Sequence, residues 1–131
     1  MSNAFEQHGA FSWSELLTDE PEKAVEFYTK VIGWEAEAMS MPEGTYYVLK
    51  ANGQPVGGIM GKPDGYQDIP NHWGTYITVA DVDETLASIT AAGGSAVYEP
   101  MEVPGVGRMC AVRDPQGAVV SIITYEAKDC E

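Results

Sequence analysis

Thr18-Asp19-Glu20-Pro21-Glu22-Lys23-Ala24-Val25-Glu26-Phe27-Tyr28-Thr29-Lys30-Val31-Ile32-Gly33-Trp34 reads as a helix with both ends marked. Asp19 is placed to be its N-cap, with a carboxylate that accepts an orphaned backbone N–H, and Glu22 three residues on completes a capping-box pattern. Pro21 falls in the first turn, where its missing N–H costs nothing. Glu20 and Glu22 suit the positive end of the helix dipole and Lys30 the negative end. Ala24, Phe27, Tyr28 and Val31 recur at i, i+3, i+4, i+7, which predicts a stripe facing a core. Gly33 can take the left-handed conformation that stops the helix, and Trp34 then opens an extended segment.

Strand patterns flank this helix. Phe11 to Leu17 alternates before it, and Trp34 to Met39 follows it. Met41-Pro42-Glu43-Gly44 reads as a turn, Thr45 to Lys50 as a strand, Asn52-Gly53 as a hairpin turn and Val56 to Met60 as the returning strand. Gly57-Gly58 marks either a bulge or a place where something approaches the backbone closely. After the Pro- and Gly-punctuated stretch from Lys62 to Asn71 the pattern restarts. His72 to Val79 reads as a strand, and Asp81 with Glu84 forms a second capping box. Val82, Leu86 and Ile89 form an apolar stripe ended by Gly93-Gly94. Strands follow at Ser95 to Met101, Arg108 to Arg113 and Ala118 to Tyr125, with turns at Val103 to Gly107 and Asp114 to Gly117.

The chain is therefore a repeat of strand–helix–strand–strand–strand, with Asp19 and Asp81 equivalent at an offset of about sixty residues. The expected class is α+β: two βαβββ modules forming a curved mixed sheet around a concave pocket, the default place for a ligand. The organisation read from this is a flexible N-terminus at 1–9, a first module at 10–62, a linker at 63–71, a second module at 72–126 and a tail at 127–131.

Composition narrows the partners. The 131 residues are 44% hydrophobic, enough for a packed interior. No apolar run approaches the ~18 residues that span a bilayer, and Met1 to Ala4 does not open a signal peptide. A net charge of −13 argues against nucleic acid and anionic membranes as partners. The two cysteines, Cys110 and Cys130, make no disulfide framework, so a cytoplasmic location is expected.

Three segments carry a family resemblance: Ala24-Val25-Glu26-Phe27-Tyr28-Thr29-Lys30-Val31-Ile32-Gly33-Trp34, then Val79-Ala80-Asp81-Val82-Asp83, then Arg113-Asp114-Pro115-Gln116-Gly117. In this order and spacing the chain resembles the vicinal oxygen chelate superfamily, also called the glyoxalase/bleomycin resistance protein/dioxygenase superfamily. Trp13-Ser14-Glu15-Leu16 is similar to the opening strand of its glyoxalase-like branch. The resemblance runs from about Ala10 to Tyr125 and specifies the fold rather than the reaction. It implies inward-facing His or Glu ligands to a divalent ion on the first and last strands of each module. Carried over strand by strand, those positions fall at Ser12 or Trp13, near Gly58, at Gly74 and at Ser121, none of which is His, Glu or Asp. No metal site and no cofactor are therefore expected.

Five residues are candidate ligand contacts: Trp13, Glu15, His72, Tyr76 and Ser121. Glu15 shares a strand face with Trp13. In apolar surroundings its pKa would rise, as a general base requires; the alternative is an ion pair or a hydrogen bond to a neighbouring strand. His72 shares a face with Gly74, although a lone His opening a strand is commonly a hydrogen-bonding residue. Trp13 and Tyr76 can form an aromatic wall or simply pack in a core, while Trp73 alternates to the opposite face. Ser121 can hydrogen-bond a ligand. No Gly-x-Ser-x-Gly elbow or dinucleotide fingerprint is present, and Cys110 reads as a buried strand thiol.

The expected function is metal-independent binding of a small organic molecule in the concave sheet. By analogy with bleomycin-resistance members, a homodimer is expected. The alternative is a divalent-metal-dependent glyoxalase-like lyase or dioxygenase-type enzyme using Glu15 and His72. A third reading is an interaction module whose concavity is filled by its own side chains.

Overall fold

A computed structural model of the chain describes residues 4–41, 44–62, 68–103 and 106–126. The expected turns at 41–44 and 103–107 and the 63–71 linker lie partly outside these residues, and the 127–131 tail with Cys130 lies wholly outside them. The chain forms two compact units, Trp13–Gly74 and Met1–Ser12 with Thr75–Glu131.

The first unit is built from β1 (Phe11–Thr18, its first two residues counted with the other unit), α1 (Pro21–Val31), β2 (Glu35–Met41), β3 (Gly44–Ala51) and β4 (Gln54–Gly61). Its strands run in the order β2-β3-β4-β1, antiparallel except for the parallel β4–β1 pair. Asn52 and Gly53 both have positive φ, 55° and 80°, and close the β3–β4 hairpin as their sequence predicts. Leu49 pairs with Gly57 but Lys50 with Pro55, which leaves Val56 as the extra residue of a bulge.

Pairing sorts the side chains. Leu16, Leu49 and Ile59 share one face and pack beneath Ala24, Val25 and Tyr28 of α1, with Trp34 and Tyr47 at the margin. Burying Leu49 and Ile59 completely contributes about 2 kcal/mol each. Trp13, Glu15, Tyr46, Val48 and Gly58 alternate onto the opposite face.

Two local expectations for α1 are corrected. Its N-cap is Glu20, with no side-chain cap bond; Asp19 instead exchanges hydrogen bonds with Asn71. The Thr18 hydroxyl accepts from the Glu20 N–H (3.2 Å), so the chain turns one residue later than the capping box implies. The buried stripe is also rotated. Ala24, Val25 and Tyr28 meet the sheet, whereas Phe27 and Val31 are 56% and 59% exposed. Periodicity gives the width of an apolar arc, but docking on a twisted sheet selects which part of it is covered. Gly33 stops the helix with φ 91°, as expected.

The second unit repeats the plan with β5 (His72–Thr78, residues 72–74 counted with the first unit), α2 (Val82–Ala91), β6 (Ser95–Ala96), β7 (Met101–Val103), β8 (Gly107–Arg113) and β9 (Val119–Tyr125). Its order is β5-β9-β8-β6, with β5 parallel to β9 and β7 also paired to β8. The expected strand from Ser95 to Met101 is broken into β6 and β7. Val97 N–H still bonds the Ala111 carbonyl, but Pro100 has no N–H to extend the ladder. Asp81 caps α2 by accepting from Glu84 N–H at 3.0 Å, as the sequence predicts. Val82, Leu86 and Ile89 pack on Val79, Cys110, Val112 and Ile122. From the 1–9 stretch expected to be flexible, Ala4, His8 and Gly9, followed by Ala10, hydrogen-bond around the end of β5. Thr78 bonds Ala4, Gly9 and Ala10, and the Ala80 N–H bonds His8 Nδ1.

Candidate functional site

The sheet face away from α1 carries a polar chain in the first unit. Trp13 Nε1–H donates to the Tyr46 hydroxyl at 2.9 Å, and that hydroxyl donates to Glu15 Oε2 at 2.8 Å. Parallel pairing sets Glu15 opposite Gly58, and antiparallel pairing sets Gly58 opposite Val48, two residues from Tyr46. The Tyr46 ring and hydroxyl lie directly over Gly58, in the space a Cβ there would need. The glycine is the near approach its sequence leaves open, and the approaching group is Tyr46. The bulge falls at Val56, just before the glycine pair, and both glycines keep their register partners.

His72 Nδ1–H donates to the Pro70 carbonyl at 2.8 Å, which leaves the ring lone pair on Nε2 in the neutral form. A Cβ on Gly74 would be 3.9 Å from that Nε2 and 4.0 Å from the Glu15 carbonyl oxygen, so there is room at Gly74.

In the second unit, Tyr76 and Ser121 are register partners on the face away from α2. Tyr76 is buried and its hydroxyl donates to Met109 Sδ at 3.8 Å. The Ser12 and Tyr125 hydroxyls are 2.8 Å apart. Cys110 is fully buried and donates to the Tyr98 carbonyl. Burial, helped by the Glu99 charge, pushes its thiol pKa up, the opposite of what a thiolate nucleophile needs.

The donor set does not fit a divalent metal. The positions implied by the resemblance present a serine hydroxyl or an indole, two glycines and a serine hydroxyl, and Tyr46 fills the space above one of the glycines. Among the described residues, no three His, Cys, Asp or Glu side chains converge as metal ligands would.

A separate feature lies on the α1 side of the first unit. An open cleft of about 320 Å³ is lined by Ser14, Trp34, Leu49, Val56, Gly57 and Trp73. Trp34 and Trp73 meet at 6.0 Å between ring centroids, and Trp73 Nε1–H donates to the Tyr28 hydroxyl at 3.2 Å. Sequence reasoning set Trp73 apart by its alternation but assigned this face no site. The signal was three aromatics, Tyr28, Trp34 and Trp73, around one helix stop. Tyr46 was legible only as a strand residue, because its role depends on register across three strands.

Comparison with known proteins gives the class. A family model described as the glyoxalase/bleomycin resistance protein/dioxygenase superfamily matches residues 10–122, and the chain belongs to that superfamily. A putative glyoxylase, CFP32, of Mycobacterium tuberculosis is 44% identical over 116 residues, covering 88% of this chain and 44% of the relative. The anthracycline biosynthesis protein DauV of Streptomyces sp. (strain C5) is 28% identical over 127 residues, covering 87% of this chain and 46% of the relative. The chain thus spans about half the length of these curated relatives. Among solved structures, hypothetical protein BH1468 from Bacillus halodurans superposes with a TM-score of 0.71 at 9% identity, covering 95% of this chain and 99% of that one. A variant of Streptomyces coelicolor methylmalonyl-CoA epimerase, in complex with 2-nitronate-propionyl-CoA, gives 0.67 at 18% identity, covering 92% and 100%. At these identities the likeness establishes the fold: α+β, with the two βαβββ modules of the glyoxalase fold.

Proposed function

We propose that this chain binds a small organic molecule without a metal ion. Its polar anchor is Trp13–Tyr46–Glu15 on the helix-free face of the first unit, with His72 as a further contact. The second module's own contacts are Tyr76 and Ser121. One observation carries this reading: Tyr46 stands over Gly58, near the position where the resemblance implies a chelating side chain, and its hydroxyl engages the neighbouring carboxylate. A hydroxyl relayed to a carboxylate orients a ligand's polar group, while an indole supplies flat apolar area.

The test combines elemental analysis of protein purified without added metal with thermal-shift binding to a panel of small aromatic amphiphiles, before and after EDTA. Substoichiometric metal, and ligand shifts that survive EDTA but shrink in Tyr46→Phe and Glu15→Gln, are expected. Stoichiometric divalent metal, or binding abolished by EDTA, overturns the reading. That result would favour the second one, a glyoxalase-like enzyme, which the 44% identity to a putative glyoxylase supports.

The reading includes a homodimer in the cytoplasm. The dimer rests on analogy with bleomycin-resistance members, and the free buried thiol of Cys110 agrees with a reducing compartment. A single species of monomer mass in light scattering at micromolar concentration would refute the dimer. Among the described residues no helix is long and apolar enough to cross a membrane.

A further inference from the structure

The aromatic cleft on the α1 side lies on the other face of the sheet from the Trp13–Tyr46–Glu15 chain and takes no part in the function proposed above. Its floor is Leu49, fully buried, with the backbone at Gly57. The indoles of Trp34 and Trp73, packed edge to face with their planes at 63°, line one side of it. Val56, pushed out by the bulge, forms the rim. Val56 and Trp73 keep 40% and 39% of their surface exposed, so a molecule can reach the Trp73 indole without unfolding anything.

Charge selects among the molecules that could enter. Residues 13–74 hold ten carboxylates against four lysines and no arginine. Lys23 and Lys50 are already paired with Glu20 and Glu37. Two further carboxylates of this unit are fixed by hydrogen bonds. Glu22 accepts from the Tyr47 hydroxyl, and Asp19 is tied to Asn71, two residues before Trp73. An anion would meet repulsion, and none of the cleft's lining residues is cationic. A cation would meet a negative field and the exposed surface of the Trp34–Trp73 pair, indole being the strongest aromatic partner for a positive charge.

We infer that the Trp34–Trp73 cleft is a binding site for a small organic cation with an apolar body, of the aryl- or alkylammonium class. Ser14 contributes the cleft's polar edge.

The experiment titrates the 131-residue chain with benzyltrimethylammonium, with its uncharged carbon isostere neopentylbenzene and with benzoate, following tryptophan fluorescence. The cation is expected to bind about tenfold more tightly than the isostere, benzoate not to bind, and added salt to weaken the cation. Trp73→Leu should remove the fluorescence response. Because that change also removes packing against Tyr28, the exposed rim residue gives a second arm. Val56→Lys should weaken cation binding and Val56→Asp should strengthen it. Loss of a merely structural residue would not produce opposite signs. Equal binding of cation and isostere, equal effects of the two Val56 variants, or a fluorescence change that follows protein concentration instead of ligand would each overturn the assignment. The last outcome would identify the cleft as a self-association surface.

Discussion

Tyr46 and Gly58 are coupled because one occupies the space the other leaves empty. Gly58→Ala drives a methyl group into the Tyr46 ring, so overpacking of about 1–3 kcal/mol is expected. Tyr46→Phe removes a donor to Glu15 and an acceptor for Trp13, at a cost of about 1–2 kcal/mol. In urea unfolding, Gly58→Ala should be markedly less damaging in a Tyr46→Ala background. Additive costs would show that the two do not share the space. A second residue-scale prediction concerns pH. Arg108 donates two 2.9 Å hydrogen bonds to Asp83, and this contact holds the Asp83 carboxyl below its ordinary value of 3.8. A lowered folded pKa gives stability that is fully present above the unfolded value and lost as pH falls through the folded one. Stability curves of Asp83→Asn should therefore be flatter than wild type below about pH 4 and parallel to it at neutral pH.

The helices show how far an element can be read before its neighbours are known. For α2, cap, stripe and stop all coincide with the sequence pattern, because Asp81 is the residue at which the backbone turns. For α1 the pattern contains two acidic residues in succession, and the Thr18 hydroxyl settles the turn at Glu20. The stripe rotates as well, so Phe27 and Tyr28, adjacent and both aromatic, have different energetic weight. Tyr28 packs on the core and holds Trp73, while Phe27 is mostly exposed. Tyr28→Ala should cost about 3 kcal/mol in chemical denaturation. Phe27→Ala should stay within about 1 kcal/mol of wild type. Equal costs would restore the unrotated stripe.

At the scale of the whole molecule, a net charge of −13 on 131 residues means that folding compresses mutually repelling carboxylates. Few basic groups offset them, and the ion pairs, such as Lys23–Glu20, are exposed. Raising sodium chloride from about 10 mM to about 0.5 M shortens the screening length to a few ångströms and should raise Tm by several degrees. A Tm that falls with salt would mean that the attractive pairs outweigh the repulsion.

Sequence alone determined the repeat, the α+β class and the superfamily, because periodicity, caps and turn residues are local and each module states them in full. It also gave glycine, serine or tryptophan at the positions where the resemblance implies chelators, since that is a matter of residue identity. Tertiary structure decided what fills the space above Gly58 and where the aromatic rings meet. Tyr46 reaches Gly58, Glu15 and Trp13 only through strand pairing, and Trp73 reaches Trp34 and Tyr28 across stretches of about forty residues of chain. Such contacts depend on register and on how a helix is rotated on its sheet, and these are set by the packing of the whole unit rather than by any one segment.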